Sequence, residues 1–143
     1  MQLSPEVLAF INTHRVARFA TVDDAGRPHV VPICFAYRDG SVYSVLDAKP
    51  KRVPVRELRR VRNLVANPSV QLVFDRYDED WTRLAYVQLR GTARIIEAGP
   101  EQSTAVRLLR ERYTQYRAMD IDEAPVIAVA IERCVTWGNL FAM

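Results

Sequence analysis

Cysteine, histidine and glycine are all scarce in this chain of 143 residues, which has two, two and five of them. Cys34 and Cys134 are too few and too far apart for a disulfide framework, and both fall in apolar, strand-like runs. The expectation is two buried thiols in a reducing cytoplasm. His14 and His29 stand at no ligand spacing from either cysteine, which argues against a metal centre. The glycines are not arranged as a Walker loop or a dinucleotide fingerprint. No apolar run reaches the roughly 18 residues needed to cross a bilayer, and Met1 to Glu6 lacks the basic start and apolar core of a signal peptide. Neither a membrane nor secretion is expected. Net charge is only +3, too small an excess to imply nucleic acid by itself. No serine, histidine and carboxylate set suggests a catalytic triad.

What the chain does have is 49% hydrophobic residues, enough for one packed domain over residues 1–143. Ser4 can cap a first helix, with Pro5 at its first position and Leu3 and Leu8 as a hydrophobic staple; Val7, Leu8 and Ile11 follow at helical spacing. Six extended segments are predicted: Val16 to Val22, His29 to Tyr37, Ser41 to Leu46, Val70 to Asp75, Leu84 to Glu97 and Val126 to Trp137. Asp23 to Arg27 supplies turn chemistry, and Asp39-Gly40 is the sharpest hairpin signal. A second helix is expected after Pro54, with Leu58, Val61, Leu64 and Val65 as its apolar stripe and Arg56, Arg60 and Asn63 on another face. Asn67-Pro68 ends it. A third runs from Glu101 to Arg117, started by Gly99-Pro100, with Val106, Leu109, Tyr113 and Tyr116 in phase. Hairpin connections dominate and crossover helices are few, so the fold class is mainly β. The expected fold is a small, mostly antiparallel barrel of about six strands with peripheral helices.

The most informative stretch is Asp47-Ala48-Lys49-Pro50-Lys51-Arg52-Val53-Pro54, which leads into the basic helix. Positive charges from Lys49 to Arg62 gather between a strand end and a helix start. Pro50 and Pro54 stiffen the backbone, which lowers the entropy lost when side chains converge on an anion. Arginine offers a fork for phosphate oxygens and lysine a mobile point charge. Arg107, Arg110 and Arg112 read instead as a solvated face. A single-strand nucleic-acid platform could draw on Tyr37, Tyr43, Phe74, Tyr77, Trp81 and Tyr86. The acidic block Asp75, Asp78, Glu79 and Asp80 would repel a phosphate backbone, so nucleic acid is not expected. Those carboxylates read as turn formers rather than general acids. With no acid–base set in view, a redox cofactor that carries its own chemistry fits best.

Three segments carry a family likeness. Arg18-Phe19-Ala20-Thr21-Val22-Asp23-Asp24-Ala25-Gly26-Arg27-Pro28-His29-Val30-Val31-Pro32 resembles the opening of pyridoxamine-phosphate-oxidase-like split-barrel proteins, which bind flavin or deazaflavin. Arg62-Asn63-Leu64-Val65-Ala66-Asn67-Pro68-Ser69-Val70 resembles their helix-to-strand signature. Asp47 to Arg52, taken with Asp75-Arg76-Tyr77-Asp78-Glu79-Asp80-Trp81, is similar to the actinobacterial branch of probable F420-dependent enzymes. The likeness implies a homodimer of six-stranded antiparallel split barrels, with two cofactor sites each lined by both subunits. It places the phosphate against Lys49, Lys51, Arg52, Arg56 and Arg60, with Pro50 shaping the loop. The ring would lie along Val31, Pro32 and Ile33. Trp81 and Trp137 are candidate pocket walls, with buried core residues as the plainer reading, and Tyr77 is a candidate hydrogen-bond donor to substrate. The implied activity is hydride transfer between F420 and an enone or quinone. FMN is the alternative cofactor, and binding without turnover the alternative role. A haem-degrading relative would need His14 or His29 as its axial ligand.

Overall fold

The structure is a computed structural model that describes residues 1–46 and 58–142. Lys49, Pro50, Lys51, Arg52 and Arg56, and the start of the helix predicted after Pro54, lie outside the described residues. Helix α1 (Pro5–Asn12) begins as its sequence requires, with the Ser4 hydroxyl accepting from Val7 N–H at 3.3 Å. Strands β1 (Ala17–Val22), β2 (Pro28–Ile33), β3 (Ala36–Arg38) and β4 (Ser41–Val45) follow, then α2 (Arg59–Ala66), β5 (Ser69–Arg76), β6 (Ala85–Ile96), α3 (Pro100–Arg112) and β7 (Val126–Gly138). The hairpin between β3 and β4 turns on Asp39 and Gly40, both at positive φ, the twist that a two-residue loop demands.

All pairings are antiparallel, in the order β2-β1-β5-β6-β7-β4-β3. The sheet has seven strands rather than six because the segment predicted as His29 to Tyr37 is two strands. β2 pairs with β1 at one end of the sheet and β3 with β4 at the other, yet only Cys34 and Phe35 separate them. Three peptide steps span at most about 11 Å, so the two ends of the sheet must meet. That short connection forces the sheet to curl into a half-barrel.

Tertiary bonding accounts for the break. The Phe35 N–H leaves the ladder and donates to the Tyr113 hydroxyl at 3.0 Å, while the Phe35 ring is fully buried. Tyr113 donates in turn to Arg15 O at 2.8 Å. Arg112 reaches His14 O and lies 4.6 Å over the Phe35 ring. Tyr113 is also where the third predicted helix ends: its φ of −123° and ψ of 113° stop α3, and Thr114–Ala118 continues as a 3-10 turn.

Two cores result. Phe10, Ile11, Phe19, Leu72, Phe74, Val87 and Leu89 fill the barrel interior. Val106, Leu109, Tyr113 and Tyr116 pack against Tyr43, Val45, Val126 and Ala128 in a second cluster. Covered on both faces, the start of β7 reads as an unbroken apolar run. Cys34 and Cys134 are free thiols but only half-buried, short of the full burial expected.

In α2, Val61 and Leu64 are buried and Leu58 packs against the core, but Val65 is 80% exposed. Asn63 takes the inner position instead, donating from its amide to the Thr21 hydroxyl at 3.0 Å. That bond satisfies a buried polar group and fixes the helix against β1. Arg110 and Arg112 are not a solvated face either. Arg110 bonds Tyr116 O, Met119 O and Asp122, and only Arg107, paired with Glu111, stays at the surface as expected.

Candidate functional site

β2 is the strand on which the expected ring site rests. Among the described residues it pairs with β1 alone, leaving its other long edge without a strand partner. An edge strand presents unpaired backbone donors and acceptors, a ready-made template for a flat polar group. Prolines are tolerated on such a strand, and Pro28 and Pro32 both occur there. Val31, Pro32 and Ile33 do not share a face. Val31 and Ile33 turn toward the interior, half-buried and buried, while Pro32 is exposed on the outer face. What the three have in common is the backbone edge.

The outer face of the sheet joins side chains that are far apart in sequence. Register places Pro32, Arg18, Val73, Gln88 and Val135 in one row across five strands, and Asp75, Tyr86 and Trp137 in the next. Trp137 stacks on Tyr86 with ring centroids 5.7 Å apart and planes 18° from parallel. It is 51% exposed, and Trp81, in the 3-10 turn Trp81–Arg83, is 71% exposed. Neither tryptophan is a core residue. Tyr77, just beyond β5, is 64% exposed. Tyr43 and Phe74, by contrast, are buried and cannot serve as stacking platforms.

Of the acidic block, Asp78 and Asp80 are turn chemistry, as expected, whereas Asp75 lies within β5 and pairs with Arg18 at 3.5 Å. Asp80 accepts from Thr82 N–H at 3.1 Å and from its hydroxyl at 2.7 Å, and these bonds hold its carboxyl below the usual range. Asp78 pairs with Arg83 at 3.0 Å. A carboxyl kept ionised in this way is a poor general acid near neutral pH.

Of the basic residues assigned to the phosphate, only Arg60 is described; it is half-buried on α2. Arg59 and Arg62 belong to the basic cluster predicted from Lys49 to Arg62 but were not assigned to the phosphate, and the structure adds Arg27 to them. Arg27, Arg59 and Arg62 line a cavity of about 220 Å³ between the β1–β2 turn and α2, together with Asp23, Asp24 and Asn63. Spacing offers a partial signal for this: Arg59, Arg62 and Asn63 fall on one helical face. The contribution of Arg27 comes only with the fold.

His14 is engaged by backbone. Its Nδ1 lies 3.0 Å from Phe10 O and its Nε2 lies 2.9 Å from Asp75 O. With a carbonyl oxygen against each ring nitrogen, neither is presented to a metal. Among the described residues no group of histidine, cysteine and carboxylate side chains could hold a metal ion, and no helix is long and apolar enough to cross a membrane.

Comparison with known proteins agrees with this architecture. The family model described as pyridoxamine 5'-phosphate oxidase matches residues 3–138. No curated protein matches the sequence. Among solved structures, the chain is similar to a conserved hypothetical protein from Mycobacterium tuberculosis, at 20% identity and a TM-score of 0.77, with 96% of this chain and 86% of that one covered. A putative 5-nitroimidazole antibiotic resistance protein from Bacteroides thetaiotaomicron gives 17% identity and a TM-score of 0.73, covering 95% and 84%. A heme storage protein from Vibrio cholerae gives 18% and 0.70, covering 96% and 95%. At these identities the likeness to solved structures establishes the fold alone.

Proposed function

The chain belongs to the pyridoxamine 5'-phosphate oxidase family, and on that footing we propose an oxidoreductase that moves hydride between the deazaflavin coenzyme F420 and a small conjugated substrate of the enone or quinone type. The observation that carries this reading is the open long edge of β2, which offers backbone groups to the polar rim of a flat ring. When bound, the deazaflavin supplies the carbon that gives or receives the hydride. The protein would orient the substrate against that ring and limit the access of water to it. Val31, Pro32 and Ile33 would support the ring, and Lys49, Lys51, Arg52, Arg56 and Arg60 would hold the phosphate, with Pro50 lowering the entropy cost of ordering the backbone around it. Tyr77 would donate a hydrogen bond to the acceptor oxygen of the substrate.

The working unit is a homodimer. Val30 and Trp137 on the outer sheet face, and Tyr77 and Trp81 in the connection between β5 and β6, are large exposed apolar or aromatic groups of the kind that monomers seldom leave uncovered. A second copy packed there would bring Trp81 and Trp137 into service as pocket walls. Light scattering on purified protein should give twice the chain mass, and Trp137→Glu should give the monomer.

FMN would use the same strand edge. The number of basic residues favours F420, because a single phosphate leaves most of them without a counterpart. A haem reading would have to use His29, because both ring nitrogens of His14 already meet carbonyl oxygens. The test is oxidation of reduced F420 by a panel of quinones and enones. Turnover with any of them supports the enzyme; tight binding with no turnover across the panel makes the protein a carrier. Lys51→Ala with Arg56→Ala should weaken the phosphorylated cofactor at least tenfold, and unchanged affinity would remove both residues from the site.

A further inference from the structure

Arg27, Arg83, Arg94, Arg107 and Arg110 each meet a carboxylate. Arg90 and Arg133 do not. They are register partners on β6 and β7, both exposed, and neither has a hydrogen bond or ion pair among the described residues. Like charges directly opposite each other on neighbouring strands repel. The arrangement is built by the bulge at Arg90 and Gly91, which leaves Glu132 and Arg133 consecutively exposed on β7. Glu132, next to Arg133, accepts from the Thr92 hydroxyl at 3.0 Å rather than from either guanidinium.

The row that holds this pair continues through Gln71 and Ala20 to Val30, which is 60% exposed. Two rows away on the same strands stands the Trp137–Tyr86 stack. The connection between β5 and β6 carries charge of the opposite sign. Asp78 pairs with Arg83 and accepts from Asp80 N–H at 2.7 Å, and Asp80 accepts from Thr82, so both carboxylates are occupied in holding the turn. Glu79 between them is exposed and has no partner among the described residues, with exposed Tyr77 and Trp81 on either side. A carboxylate on a turn fixed in this way loses little freedom on pairing.

We propose that in the homodimer the turn from Tyr77 to Trp81 of each subunit docks on the Arg90–Arg133 pair of the other, with Glu79 of the partner subunit between the two guanidinium groups. The inference rests on the dimer reading above and adds which elements meet. A twofold interface repeats every contact, so its axis crosses the face midway between turn and pair. Ala85, at the foot of the turn, lies about 16 Å from Arg90 at about 3.3 Å per residue. The midpoint falls near Tyr86, which sets the two Trp137–Tyr86 stacks against each other at the axis and covers them. Trp81 of the partner subunit is thereby delivered to the face that carries Trp137. The pocket is complete only in the dimer.

The test is sedimentation equilibrium of the full chain, as wild type and as two charge-reversal variants. Wild type should be a dimer whose dissociation constant rises with salt. Arg90→Glu with Arg133→Glu should raise that constant at least tenfold, and so should Glu79→Arg, because each sets like charges at both symmetric contacts. Mixed in equal amounts, the two variants should return to the wild-type constant, since both contacts of the mixed dimer then join opposite charges. That recovery also shows that both variants are folded. If a reversal variant loses the wild-type circular dichroism spectrum, Arg90→Gln with Arg133→Gln decides instead, with a smaller rise expected. An unchanged constant in these variants, or folded reversal variants that stay monomeric when mixed, would overturn the docking. A dimeric wild type and a monomeric Trp137→Glu would then leave the dimer reading standing. A monomeric wild type overturns both.

Discussion

At the β2–β3 crossing, Arg15 and Arg112 direct their guanidinium groups at backbone carbonyls and aromatic faces: Arg15 at Arg112 O and the Tyr113 ring, Arg112 at His14 O and the Phe35 ring. At the β1–β2 turn, Arg59 and Arg62 hold no comparable contact among the described residues, and only Arg27 is anchored, through Asp23. The same side chain thus builds structure at one end of β2 and leaves charge available at the other. Local acceptors make the difference. Arg15 is as exposed as Arg59 and Arg62, yet it has a carbonyl and an aromatic face within reach, whereas a guanidinium on the rim of α2 leaves its donors to solvent or a ligand.

Substitutions that crowd the closed part of the barrel should have the largest effect. Gly91 adjoins the bulge where β6 meets β7, and a Cβ there would lie 2.2 Å from Ala130 O. Gly91→Ala is expected to lower stability by about 3 kcal/mol in denaturant melts, because the obstacle is backbone. A wild-type melt from this variant would mean that the sheet closes less tightly than described.

Tyr113→Phe probes the crossing itself. Its hydroxyl accepts from Phe35 N–H, and removing it leaves a buried donor unmatched. A loss of about 2 kcal/mol is expected, with faster amide exchange at Phe35. Unchanged exchange would detach the strand break from Tyr113.

An intermediate case is Glu101, which accepts from Arg94 at 2.7 and 2.8 Å and from Tyr43 at 2.7 Å. The Arg94 bonds first, and then the Tyr43 bond, hold its carboxyl below the ordinary value of 4.5. A depressed carboxyl stabilises the fold above that value, and the contribution is lost as pH falls through and below it. Glu101→Gln should flatten this acid limb of the melting temperature while costing less than about 1 kcal/mol at neutral pH, because the pair is solvent-screened. An unchanged acid limb would show that the Arg94–Glu101–Tyr43 set adds nothing.

The smallest stability effect belongs to the open end. Arg59→Ala and Arg62→Ala should each stay within about 0.5 kcal/mol of wild type. A larger loss in a thermal melt would make these arginines structural and erase the contrast with Arg112.

Signals confined to a few residues could be read from the sequence. Ser4 and Pro5 announced α1, Asp39-Gly40 announced its hairpin, and the strand limits from β4 onward fell within a residue or two of expectation. The missed features depend on distant partners. The β2–β3 break is set by a hydroxyl 78 positions away, and nothing in the apolar run from His29 to Tyr37 marks it. The periodicity of Tyr113 and Tyr116 suggested one helix because both are buried, although a 3-10 turn buries the second. Asn63 looked solvent-facing by type, but its amide finds Thr21. The basic cluster was legible as composition. Which arginines remain available was not, since that depends on the bonds of Asp23 and on the acceptors facing each helix.

The most direct measurement is calorimetric titration of purified wild-type protein with F420 and, separately, with FMN. Saturable F420 binding at one per chain, weakened by salt, with no FMN binding, is the expected result. FMN binding without F420 binding, or neither, would contradict the deazaflavin assignment.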